Sequence, residues 1–254
     1  MGMVKVLGIG SGWQILLGAA AVFLAGLTYG LTGFGFALVA TPVMVILLSP
    51  RVAVPAVLLM SMANGLFLLL ATWRDVQPRR ILLLTLAGIA ATPAGAYFLA
   101  WGSAGALKCF IGAVITLFAL AFLLGFQRPL RQEGPASIPV GLVSGFLNGS
   151  TGMSGPPVIL FFTNQGLEKQ AFRANLVAYF MALNVVTLPL YVYHGLMTRQ
   201  VGLYALAALP ALALGTWAGL RLSGRVNPRV FRLITLLLVL MAGVSSALSG
   251  LGIF

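Results

Sequence analysis

Two short runs hold most of the polar chemistry in an otherwise apolar chain. The first is Tyr29-Gly30-Leu31-Thr32-Gly33-Phe34-Gly35-Phe36, in the middle of residues 13–48. The second is Asn148-Gly149-Ser150-Thr151-Gly152-Met153-Ser154-Gly155-Pro156-Pro157, within residues 138–163. Glycine, hydroxyl residues and proline at this density break a helix. A helix that restarts beyond the break offers unpaired N–H groups and the positive end of its dipole, and these attract an anion without a charged side chain. Glycine lets a ligand approach the backbone. Thr32, Ser150, Thr151 and Ser154 are expected to add hydroxyl donors, with Phe34, Phe36 and Met153 as apolar walls. The restarts fall near Gly33-Phe34-Gly35 and Gly152-Met153-Ser154-Gly155, which completes the expected binding set at the two tips. Close helix packing through small residues is the plainer use of such glycines. Two matched, hydroxyl-rich breaks favour a ligand site.

Further polar candidates sit inside apolar runs. An amide in hydrocarbon must find partners, so Asn64 and Asn184 either bridge helices or touch a solute, while Asn148 lies on a tip itself. Arg173 is placed to attract an anion, although arginines at helix ends commonly snorkel to headgroups. His194 reads as an interfacial residue with a proton relay as the alternative, and Cys109 as a packed thiol.

The absences narrow the function. Only Asp75, Glu133 and Glu168 are acidic, and none falls in an apolar run. A carboxylate relay for protons or sodium is therefore not expected. No His, Asp and Glu cluster supports metal or hydrolytic chemistry, so neither a cofactor nor an enzymatic activity is expected. A single cysteine rules out an intramolecular disulfide. The lack of intramembrane acid fits an anionic solute, which fixed negative charge would repel.

The elements that must position these residues are membrane helices. The chain is 60% hydrophobic and 7% charged, against roughly 25% charged in soluble domains. Runs of spanning length occur at 53–72, 81–101, 105–125, 172–194, 201–220 and 230–251. The connectors, Arg74 to Arg80, Gln127 to Ser137 and Arg221 to Arg229, leave no room for a soluble domain. The first apolar run, near Trp13, lacks a cleavage motif and reads as a retained helix. The formal charge of +12 is spread over short loops rather than a basic stripe, which excludes nucleic acid as a partner. The lipid bilayer is the implied partner, and the sequence leaves a homo-oligomer open.

Residues 13–48 as one helix would run about 54 Å, beyond a hydrocarbon core of about 30 Å. The two breaks also match. Gly26, Gly30, Thr32 and Gly33 coincide with Gly145, Gly149, Thr151 and Gly152 at an offset of 119, and Asn64, Gly95 and Tyr97 coincide with Asn184, Gly215 and Trp217 at 120. The chain thus reads as one transmembrane domain, residues 1–254, with repeats over 13–125 and 138–251. If each broken stretch crosses once, the basic residues split seven to eight between the two sides. If each returns as a hairpin, they split four to eleven, which is a positive-inside bias with both termini outside. The expected fold is therefore all-α and polytopic, two inverted repeats each opening with a helical hairpin followed by three spans. Eight simple spans are the alternative.

The run Gly30-Leu31-Thr32-Gly33-Phe34-Gly35-Phe36 with Pro42, the segment from Gly145 to Pro157, and Phe172-Arg173-Ala174-Asn175 resemble signatures of the TauE/SafE sulfite exporter family. The resemblance covers nearly the whole chain. It implies a multi-pass permease of the bacterial inner membrane for sulfite, sulfoacetate or another organosulfonate. Phe-Gly-Phe stands at the first tip where many relatives carry more glycine or serine. That departure implies a preference for a sulfonate with a hydrocarbon body over bare sulfite. An anion channel using the same tips as a fixed constriction is the alternative function, and a membrane-embedded assembly subunit is a third.

Overall fold

The computed structural model describes residues 12–125, 133–163, 165, 167–222 and 228–252. The chain order is α1 (Gly12–Thr32), α2 (Phe36–Leu47), α3 (Pro50–Thr72), a 3-10 turn (Trp73–Asp75), α4 (Pro78–Trp101), α5 (Ala104–Leu123), α6 (Glu133–Thr151), α7 (Gly155–Thr163), α8 (Lys169–Tyr193), α9 (Arg199–Leu222) and α10 (Pro228–Gly250). No strand occurs among the described residues. Lys5, Arg128, Arg131 and Arg225, which enter the loop-charge count, lie outside them.

Among the described residues, five stretches are long and apolar enough to cross a membrane: Pro50–Asp75, Pro78–Trp101, Ala104–Leu123, Lys169–Tyr193 and Arg199–Leu222. Burial across the described helices is inverted relative to a soluble protein. Leu66, Phe67, Leu70, Leu117, Leu206 and Leu214 are exposed, while Thr41, Asn148, Ser150, Thr151 and Asn175 are buried. An apolar exterior on this scale suits lipid rather than water. Aromatic and basic groups gather at helix ends, as they do at membrane interfaces. The Arg74 guanidinium lies 5.4 Å from the Trp73 ring and that of Arg221 lies 4.8 Å from Trp217. His194, at the end of α8, stacks edge-on against Tyr97 and Tyr193. This is a multi-pass membrane protein.

The chain forms two compact units that cut across the sequence halves. One comprises Met1–Met60, Ser103–Leu124 and Leu196–Phe254, and the other Ser61–Gly102 and Gly125–Gly195. In the first, α1 packs on α9 and α2, and α10 on α5 and α2. In the second, α6 packs on α4, and α8 on α4, α6 and α7. Each unit therefore takes a broken stretch from one half of the sequence and its main partner helix from the other.

Glycines set these interfaces, because only a missing Cβ lets two backbones touch. A Cβ on Gly30 would strike Thr216 O and come within 2.8 Å of Leu220 N. A Cβ on Gly149 would strike Thr92 O and come within 2.7 Å of Ala96 N. A Cβ on Gly26 would come within 2.8 Å of Leu212 O, and one on Gly145 would strike Gly88 O. The same packing is made in both units. It matches Thr92 with Thr216 and Gly95 with Gly219. That correspondence lies about one helical turn from the pairing of Gly95 with Gly215 suggested by the sequence.

Helix directions follow from the same contacts. Gly18, early in α1, lies 3.8 Å from Leu47 at the end of α2 when given a Cβ, so α2 folds back along α1. Gly105 meets Gly250 and Gly112 meets Gly243, so α5 and α10 are antiparallel. Gln77 N donates to Asn175 Oδ1 at 2.7 Å, and Gly88 meets Leu183 further along. Hence α4 and α8 run parallel. Cys109, half-buried in α5, passes its backbone against Gly250.

Candidate functional site

The first break lies in the first unit. Gly33 N closes α1 by donating to Tyr29 O at 2.7 Å, and Gly33 and Gly35 have φ of 84° and 87°. Thr32 Oγ1 stands 2.8 Å from Thr28 O and 2.7 Å from Phe34 O, and it accepts from Phe34 N at 3.3 Å. Gly35 caps α2 with no side-chain hydrogen bond, which leaves the amides of Phe36, Ala37 and Leu38 without intrahelical acceptors. Phe34 is half-buried and Phe36 is buried.

The second break, in the second unit, is built the same way. Gly152 N donates to Asn148 O at 3.0 Å, and Gly152 has φ of 70°. Thr151 Oγ1 donates to Leu147 O at 2.7 Å and accepts from Met153 N at 3.2 Å, matching the role of Thr32. Ser150 Oγ donates to Phe146 O at 2.7 Å. The hydroxyls of Thr32, Ser150 and Thr151, expected to face a solute, are engaged by backbone carbonyls in this conformation. Ser150 and Thr151 give their protons to carbonyls of the preceding turn, and Thr32 gives its proton to Thr28 O or Phe34 O, so all three brace the breaks. Ser154 is buried, and its carbonyl accepts from Ser144 Oγ at 2.6 Å. Pro156 and Pro157 follow Gly155 in the first turn of α7 and carry no N–H, so this restart has fewer backbone donors than the first. Met153 is 2% exposed.

Among the candidate amides, Asn148 and Asn184 come together. Asn148 Nδ2 donates to Asn184 Oδ1 at 3.2 Å and to Thr187 Oγ1 at 2.8 Å, and Tyr191 Oη donates to Gly149 O at 2.9 Å. This cluster pins the end of α6 to α8. Asn64 is buried in the same unit, next to Gly65, which packs on Met181. Arg173, half-buried near the start of α8, is not brought to this cluster. It lies about 16 Å from Asn184 along the helix axis. The sequence reading missed Thr187 and Tyr191. Their four-residue spacing on one helix face was the available signal.

Gly35 yields a direct check on the first tip. Its φ of 87° opposes substitution, whereas the Thr28 Cγ2 atom 3.4 Å from an added Cβ is at ordinary contact distance. Gly35→Ala is expected to cost about 1–2 kcal/mol and to lower the melting midpoint in detergent. An unchanged midpoint would show that the turn relaxes freely.

Fold and site together define a multi-pass membrane protein with two helix breaks of one construction, whose acidic residues Asp75, Glu133 and Glu168 lie at helix ends. Residues 18–246 match the family described as Sulfite exporter TauE/SafE, and the chain belongs to that family. It is 27% identical over 240 residues to a probable sulfite/organosulfonate exporter TauE of Cupriavidus necator, with 92% of each chain covered. No solved structure matches the chain. The family is one of exporters rather than enzymes.

Proposed function

We propose that this protein is a permease of the bacterial inner membrane for a small sulfur-containing anion, sulfite, sulfoacetate or another organosulfonate. In this reading the helix breaks bind the solute near the membrane midplane, and the two halves are inverted repeats that alternate access. The observation that carries the reading is the repeated break, a threonine-locked helix end followed by a glycine in the left-handed region. Paired interruptions of this kind are where transporters bind solute. The antiparallel course of α5 and α10, the last helices of the two halves, supports inversion. Half-exposed Phe34 favours a sulfonate with a hydrocarbon body, and the name of the Cupriavidus relative includes organosulfonates.

Purified protein in proteoliposomes is expected to show saturable counterflow of labelled sulfite or of an alkyl sulfonate. Single-channel currents would replace the carrier by a channel. Equal binding of sulfite and alkyl sulfonate would remove the stated preference.

A further inference from the structure

One face of α8 carries Asn175, Tyr179, Leu183, Thr187 and Tyr191 at four-residue spacing, and each is 0% exposed. The stripe extends about 24 Å along the helix axis. Its two ends are satisfied differently. At the later end, Thr187 and Tyr191 are bonded to the tip of α6, as described above. At the earlier end, Asn175 Nδ2 and Tyr179 Oη are buried without any hydrogen-bond partner.

Neither group is short of neighbours. Asn175 uses its Oδ1 to accept from Gln77 N at 2.7 Å, which fixes the amide and leaves only its NH2 unused. Tyr179 stands beside Ser144, but the two hydroxyls make no hydrogen bond of acceptable geometry, and the Ser144 proton goes to Ser154 O. The same Ser154 belongs to the second tip. Arg173 Nε, half a turn before Asn175, is likewise buried and unbonded. Asp75 and Glu168 are exposed and bond none of the three.

Buried polar groups in native proteins are nearly always paired, so each exception calls for an explanation. An amide NH2 and a guanidinium N–H can only donate, and a phenol can donate. Asn175 Nδ2, Tyr179 Oη and Arg173 Nε are thus unused donors on one helix, a set complementary to an oxyanion, while Asp75, in the 3-10 turn packed on α8, is exposed.

We propose that Asn175 Nδ2 and Tyr179 Oη form an oxyanion subsite on α8, which binds a sulfite or sulfonate oxygen between the Arg173 end of the helix and the second tip. The inference rests on the proposed function and deepens it by naming specificity-determining residues outside both breaks. Residues four apart on a helix have Cβ atoms about 5–6 Å apart, close enough for two side chains to share one tetrahedral or pyramidal anion. In this conformation both donors are sealed from solvent, Asn175 at Gln77 and Tyr179 against Gly88 of α4 and Ser144 of α6, so an anion reaches them only when these contacts open.

The test uses full-length protein in detergent and in proteoliposomes, with sulfite and an alkyl sulfonate as probes. Tyr179→Phe removes only the hydroxyl. Asn175→Asp keeps the acceptor for Gln77 N and replaces the donor by an oxygen. Each is expected to raise the KM for counterflow about tenfold, the effect of one charge-assisted hydrogen bond, and to abolish the thermal shift that the probe induces. Tyr179→Phe should leave the ligand-free melting midpoint unchanged or higher, because an unpaired hydroxyl contributes nothing to the fold. Wild-type KM and wild-type ligand shift in both variants would overturn this subsite alone. Absence of any sulfur-anion binding by the wild-type chain would overturn the proposed function and the subsite with it.

Discussion

Replacing Gly145 by valine is expected to leave no folded protein to extract from the membrane. A Cβ at that position would lie inside the van der Waals envelope of Gly88 O and 2.6 Å from both Gly88 C and Gly88 Cα. Every one of these is a backbone atom, so no rotamer change relieves the clash, and α4 would have to move away from α6. Moving it opens the whole interface, because Gly141 meets Leu84 O, Gly149 meets Thr92 O and Gly95 meets Phe146 O in the same way. Membrane helices associate through such close packing without a hydrophobic drive between them. Overpacking commonly costs about 1–3 kcal/mol where side chains can adjust. Against rigid backbone, and with bulk at both valine methyls, the loss approaches the total stability of about 5–15 kcal/mol. Gly202→Ala is the control, since nothing lies within 4 Å of its added Cβ. It should be neutral or stabilising by up to about 1 kcal/mol through helix propensity. Size-exclusion profiles and melting midpoints of the detergent-extracted variants read both outcomes. A monodisperse Gly145→Val protein with a wild-type midpoint would show that α4 and α6 do not depend on this contact.

The sequence made the membrane class and the position of both breaks legible, and the reason is compositional. Thr32-Gly33 and Thr151-Gly152 each end a helix within a glycine- and hydroxyl-rich run of an apolar stretch, and both glycines take positive φ. The correspondence between α4 and α9 was not legible. Gly95 can be aligned with Gly215 or Gly219 with equal ease, and only the backbone that each glycine touches distinguishes them. Nor could the sequence show that Thr32 and Thr151 direct their hydroxyls to backbone carbonyls beside the breaks, because threonine in a helix end serves a cap or a ligand equally well. The α8 stripe was hidden by its mixed chemistry. Asn175, Tyr179 and Thr187 look like isolated polar residues until burial shows that they share one face.

Asn148→Leu is expected to cut solute flux by about a hundredfold, equivalent to about 2.8 kcal/mol, and its value lies in separating scaffold from site. Leucine has nearly the shape of asparagine, so packing is kept while both hydrogen bonds of Nδ2 disappear. Asn184 Oδ1 and Thr187 Oγ1 then lose the donor they receive from the tip of α6. Buried acceptors left unpaired cost about 1–3 kcal/mol each, so the single variant is destabilised as well as inactive. Removing the partners too, in Asn148→Leu with Asn184→Leu and Thr187→Val, eliminates that penalty. Replacing every member of a buried polar cluster by apolar groups of similar shape is close to neutral. The melting midpoint should therefore return towards wild type in the triple variant. Flux should not return, because an apolar cluster behind the second break offers an anion no polar group. Recovery of both stability and flux would reduce Asn148 and Asn184 to helix bridges and withdraw them from the proposed site. Recovery of stability alone assigns them to the solute, since the fold would then have been shown not to need them.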